Sequence, residues 1–213
     1  DYELFECIKC IRDTINISKQ PVILIGDGMR NSGVEKILQK ISEKKGIPIL
    51  SSRVSQDIFS TASTYYGYIG SHGLRYSNYI LEKADCLIVL GNRLAFDHKS
   101  KTFGRLLNKE NIVWIDIDRN EFLRVDFDAH IFCLDVRNVI PRLEMVDLNY
   151  ENKDWQKKCS MIKEKLTFCD ITGSVQLLSK IIENTNSYGG IVCDVGNNEL
   201  WMSRAYAIKE RTV

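Results

Sequence analysis

Charge of one sign, proline, histidine and long apolar runs are all scarce in this chain. Its 29 basic residues nearly cancel its 28 acidic ones, and the net charge of +1 sets up no global field to draw in nucleic acid or an anionic membrane. Neither is expected as a partner. Runs such as Glu43-Lys44-Lys45 read as solvated helix faces. No apolar stretch approaches the roughly 20 residues of a membrane span, and Asp1-Tyr2-Glu3 lacks the basic and apolar regions of a signal peptide. Three histidines, His72, His98 and His130, leave few candidates for acid–base chemistry, and no Ser/His/Asp or Cys/His constellation stands out. Cysteine is not scarce, but its seven copies are an odd number, and several sit in apolar runs where the thiol acts as a small hydrophobe. That usage points to a reducing cytoplasm without a disulfide framework. Cys7-Ile8-Lys9-Cys10 is the one CxxC; structural zinc takes four ligands, so two cysteines on a helix is the plainer reading and no metal site is expected.

What the chain does have is alternation. Apolar runs recur at Val22–Ile25, Ile47–Leu50, Cys86–Leu90, Ile112–Ile115 and Ile131–Leu134. They are apolar on both faces, as central strands of a parallel sheet are. Helical stripes lie between and before them: Leu4, Ile8, Ile11 and Ile15; Val34, Ile37, Leu38 and Ile41; Tyr76, Tyr79 and Ile80. The pattern predicts an α/β fold, a doubly wound, mostly parallel sheet with helices on both faces, of the NAD/FAD-binding type. This domain is placed at 1–145, a partly helical connector at 146–172, and a third segment at 173–213. The last holds a helix with Val175, Leu178 and Ile182, a strand at Ile191–Cys193, and a turn into a helix with Leu200, Trp201 and Tyr206. One strand and one helix cannot bury a core, so this ending either docks on what precedes it or opens a further domain.

Ligands of doubly wound sheets bind beyond the carboxyl ends of the strands. The first such turn, "LIGDGMRNSG", supplies Gly26 and Gly28, but Asn31 stands where a dinucleotide fingerprint needs its third glycine, and the second strand ends in Ser51-Ser52-Arg53 without a ribose-binding acid. Nor do Ser55, Gln56 and Asp57 complete a magnesium motif with Asp27. Two readings of the turn stay open: backbone N–H groups approaching an anion, or close packing. His72, Arg93 and Asp118 fall at later strand-end turns, suited to a phosphate and a ribose, or equally to caps and loop closure.

The order of these pieces resembles the central domain of the acetolactate synthase-like thiamine-diphosphate enzymes. "GDGMRNSG", Gly70-Ser71-His72-Gly73, Asn78-Tyr79, Gly91-Asn92-Arg93 and Ile115-Asp116-Ile117-Asp118 match in sequence, and the resemblance covers nearly the whole chain. It further aligns Asp194, Val195, Gly196 and Trp201 with the start of that family's diphosphate-binding domain, with Asn197, Asn198 and Glu199 standing where Gln, His and Gln are usual. The resemblance implies that Gly196, Asn197 and Asn198 bond the diphosphate of thiamine diphosphate. It places the catalytic glutamate and the magnesium motif outside these residues, so the chain is expected to be a non-catalytic fragment of a homo-oligomeric enzyme that decarboxylates 2-oxo acids, with acyl transfer as a further step. Some relatives bind FAD in this domain, which would engage Gly26, Gly28, His72, Arg93 and Asp118. Here Leu94 to Ser100 departs from their pattern, and a scaffold without flavin is favoured. A stand-alone nucleotide- or FAD-binding module of the electron-transfer flavoprotein type is the alternative; a sirtuin-like deacylase, lacking its zinc module, ranks last.

Overall fold

A computed structural model describes residues 2–95, 111–124, 127–150, 152–184 and 191–209. Six parallel strands form one sheet: β1 (Pro21–Ile25), β2 (Ile49–Ser51), β3 (Tyr65–Tyr68), β4 (Cys86–Leu90), β5 (Ile112–Asp116) and β6 (His130–Cys133), in the order β3-β2-β1-β4-β5-β6. The helices are α1 (Tyr2–Ile17), α2 (Glu35–Lys45), α3 (Arg75–Lys83), α4 (Val136–Glu144), α5 (Lys153–Thr167), α6 (Gly173–Asn184) and α7 (Asn197–Lys209). Among the described residues no helix is long and apolar enough to cross a membrane.

The double-sided apolar runs behave as their composition requires. In β1, Ile23 and Ile25 face a core shared with Cys7, Ile11, Leu38 and Val139 of α1, α2 and α4. Val22 and Leu24 face the opposite core, with Tyr76 and Ile80 of α3 and Trp155 and Cys159 of α5. The side-chain period of two thus fills both layers from one strand. Inside the expected connector, α5 completes the second layer: Trp155 is buried and its Nε1 donates to Pro21 O at 3.0 Å. Cys7 and Cys10 share α1, as the plainer reading of the CxxC has it, and burial pushes the Cys7 thiol up to about 12.

Two expectations need correction. β3, Tyr65-Tyr66-Gly67-Tyr68, is a strand that the apolar runs did not announce. Conversely, Ile191 to Asp194 form no strand, although α7 follows as expected. An extended segment becomes a strand only when a neighbour takes up its backbone hydrogen bonds, and among the described residues no strand pairs with this one. The α6–α7 pair has its own small core of Val175, Ile182 and Ala205.

After β3 the chain returns across β1 to place β4 on the other side. Strand order reverses between β1 and β4, and the carboxyl edge at that point is where a doubly wound sheet is expected to carry its crevice.

Candidate functional site

A cleft of about 790 Å³ occupies that crevice. Its size falls within the usual range of small-molecule pockets. Its walls are the turns after β1, β2, β3 and β4, together with Asp116 at the end of β5.

The floor is a backbone contact. Gly26 N donates to Leu90 O and Gly28 N to Gly91 O, both at 3.0 Å. A Cβ on Gly26 would stand 2.2 Å from Gly91 O, and one on Gly28 would stand 2.9 Å from Gly91 Cα. Of the two readings open for this turn, close packing is the one observed, against the turn after β4. The N–H groups of both glycines are thereby committed. Asn92, buried behind them, donates from Nδ2 to Ile25 O at 3.0 Å, accepts from Leu94 N at 2.9 Å, and offers its own carbonyl to Trp114 Nε1 at 2.9 Å. The β1 and β4 turns are in this way one unit.

Arg30 braces the rim. Its guanidinium meets Asp57 at 2.7 and 2.8 Å and Asp27 Oδ1 at 2.8 Å, and also donates to Val54 O. Asp27 is thus an ion-pair partner. Hydrogen bonds from Arg30 hold the Asp57 carboxyl below its ordinary range. On the opposite rim, the Gly70–Gly73 loop is clamped by Asn78, whose amide accepts from Gly70 N at 3.1 Å and donates to Gly70 O at 2.9 Å. That loop presents His72, exposed, to the cleft, with Ser71 Oγ 3.2 Å from its Nδ1.

Of the residues singled out in the sequence, Gly26, Gly28, His72 and Arg93 line the cleft. Arg93 is exposed and sits 3.9 Å from the buried Glu121, which Arg124 approaches to 3.4 Å. Asp118 lies off the wall. Its Oδ1 accepts from Asn120 N at 2.9 Å and its N–H donates to Asp116 Oδ1 at 3.0 Å, which is loop closure. Of the two aspartates at the end of β5, Asp116 is the one that lines the cleft, and burial raises its pKa above the ordinary carboxylate value. Gly196 precedes α7 and Asn197 and Asn198 are its first two residues, all three exposed and outside the cleft lining; Gly196 has φ +145° and Asn198 Nδ2 donates to Asp194 O at 3.3 Å. Residues 96–100, including His98, lie outside the described part of the chain.

Sequence reasoning missed Arg53 and Tyr68, which also line the cleft. Arg53 directly follows β2, where the strand-end rule would have found it. Tyr68 ends β3, the strand that went unread; it is fully buried, its hydroxyl lies against Arg204, and burial raises its pKa. Among the described residues no cluster of three His, Cys, Asp or Glu side chains could hold a metal ion.

A six-stranded parallel sheet in this order, with its cleft at the strand-order reversal, defines a doubly wound α/β domain of the nucleotide-binding architecture. More specifically, the family model for the thiamine pyrophosphate enzyme, central domain, matches residues 8–143, and the chain belongs to that family. It is 26% identical over 211 residues to the acetolactate synthase isozyme 1 large subunit of Escherichia coli, covering 95% of this chain and 37% of that protein. It is 29% identical over 204 residues to the acetolactate synthase large subunit of Lactococcus lactis, covering 92% and 35%. A probable acetolactate synthase large subunit from Methanocaldococcus jannaschii is 28% identical, covering 95% and 36%. The chain spans roughly a third of the length of these relatives.

Proposed function

We propose that this chain is the central portion of a thiamine-diphosphate-dependent enzyme of the acetolactate synthase type, one that decarboxylates 2-oxo acids and transfers the resulting acyl unit. The observation that carries this reading is the family match over residues 8–143, with similarity to acetolactate synthase large subunits extending over 95% of the chain. Thiamine diphosphate, when bound, supplies the stabilised carbanion that such a decarboxylation needs.

The turn at Gly196, Asn197 and Asn198 fits part of that cofactor. It opens a 13-residue helix whose first N–H groups have no intrahelical acceptor and whose dipole favours an anion. The glycine that starts it adopts a backbone conformation L side chains rarely take. The residues around the cleft take part in no proton transfer in this reading. Their work is to hold the β1 and β4 turns together and to present the guanidinium groups of Arg53 and Arg93, with His72, along the rim. A flavin dinucleotide anchored by its pyrophosphate at the glycine turn does not fit, because Gly26 and Gly28 have already donated their N–H groups. The domain division at 145 and 172, and assembly into homo-oligomers, belong to the same proposal.

The test is turnover by the full-length gene product. Carbon dioxide release from short 2-oxo acids that requires both thiamine diphosphate and magnesium supports the reading. No release from any 2-oxo acid, with no binding of thiamine diphosphate, overturns it.

A further inference from the structure

The α6–α7 pair rests on the sheet through few apolar contacts. Its core is separate from the two sheet cores, and among the described side chains of α7 only Ala207 joins one of them. Polar groups make the rest of the seat. Arg53 Nη1 lies 2.8 Å from Glu199 Oε1 in the first turn of α7. Asp170, fully buried just ahead of α6, accepts from Arg75 N at 3.0 Å and so caps α3 from a distant part of the chain. Burial raises the pKa of both Asp170 and Tyr68, and the Arg204 guanidinium of α7, which hydrogen-bonds Tyr68 and lies near Asp170, offsets part of that rise.

Arg53 belongs to two structures at once. It lines the cleft, and it touches the residue immediately after the Gly196–Asn198 turn. Its contact with Glu199 is close in distance but poor in alignment, since the same Nη1 is shielded from solvent and makes no hydrogen bond. A single, misaligned carboxylate oxygen uses little of a guanidinium's planar fork. Phosphate oxygens match that fork in pairs.

We propose that Arg53 couples the cleft to the start of α7: a polyanion entering the cleft draws the guanidinium from Glu199, and the turn that opens α7 loosens. Linkage makes the effect reciprocal, so whatever fixes that turn through Glu199 weakens the polyanion's hold by the same factor. The inference rests on the cleft accepting a phosphate-bearing ligand and not on the 2-oxo acid chemistry.

Adenosine diphosphate is the probe, with binding followed by calorimetry and the amides of 197–209 followed by hydrogen exchange. Wild type, Arg53→Gln, Glu199→Gln and the double variant are compared, with sheet protection confirming that each is folded. The nucleotide is expected to speed exchange in the first turns of α7. Glu199→Gln is expected to speed it without ligand and to tighten nucleotide binding about fivefold or more, the lower end of typical coupling. Arg53→Gln weakens binding, and in that background Glu199→Gln changes nothing further. Unchanged affinity in Glu199→Gln, or an equal gain with and without Arg53, overturns the coupling. Failure of the nucleotide to bind at millimolar concentration overturns it too, while leaving turnover by the full-length protein as a separate question.

Discussion

Replacing Gly26 by alanine places a methyl group 2.2 Å from Gly91 O and 2.5 Å from Asn92 Cα, so two backbone turns, rather than a flexible side chain, must move apart. Overpacking of this kind costs about 1–3 kcal/mol. The movement also strains the bonds from Gly26 N to Leu90 O, from Gly28 N to Gly91 O and from Asn92 Nδ2 to Ile25 O. Each contributes about 1 kcal/mol net, and losing two of them brings the total to roughly 3–5 kcal/mol. Against a typical domain stability of about 5–15 kcal/mol that is a large fraction. Urea unfolding monitored by tryptophan fluorescence is the assay, since Trp114 donates to Asn92 O and reports on this junction. Gly173→Ala is the control: nothing lies within 4 Å of its added Cβ, so it should be neutral or slightly stabilising. A Gly26→Ala protein with an unchanged unfolding midpoint would refute the claim that these glycines serve backbone packing.

Asp116 gives a pH signature. Its folded pKa is raised by burial, so its favourable contribution is complete below the unfolded value of about 4 and is lost as pH rises through the folded value. Asp116→Asn keeps an acceptor for Asp118 N and removes this dependence, so its stability relative to wild type should improve from pH 4 towards neutrality; a gap that widens in the other direction would contradict the burial argument. Trp155→Ala should cost about 3–5 kcal/mol, as for other buried tryptophans, and shift a single cooperative unfolding transition. If α5 were a loose connector, that transition would stay where it is.

The parts of the fold legible in the sequence are those where one physical demand dominates. β1, β4 and β5 announce themselves because both faces are covered, which forces runs of four or five consecutive apolar residues. β3 is hidden because its buried surface is aromatic and polar-tipped: Tyr66 Oη donates to Gln156 O at 3.2 Å, and Gly67 interrupts the run. Ile191 to Cys193 carries the composition of a strand, but composition supplies no neighbour to pair with. At the cleft, Gly26, Gly28, His72 and Arg93, which strand-end position singles out, line the wall. The same rule chose Asp118 over Asp116, because the exact end of β5 decides which aspartate lines the cleft, and it could not see that the glycine N–H groups were already taken. Arg53 acquires its second contact only through Glu199, 146 positions later in the chain (199 − 53).

The most direct test of the account is titration of the full-length gene product with thiamine diphosphate and magnesium while its melting temperature is followed. A ligand bound only by the folded state stabilises it by about 2.7 kcal/mol at a hundredfold excess over its dissociation constant. The account expects a saturable rise, diminished by Gly196→Ala, whose Cβ would lie 2.8 Å from Asn198 Oδ1 in a strained backbone conformation. A melting temperature indifferent to the cofactor at every concentration would contradict it.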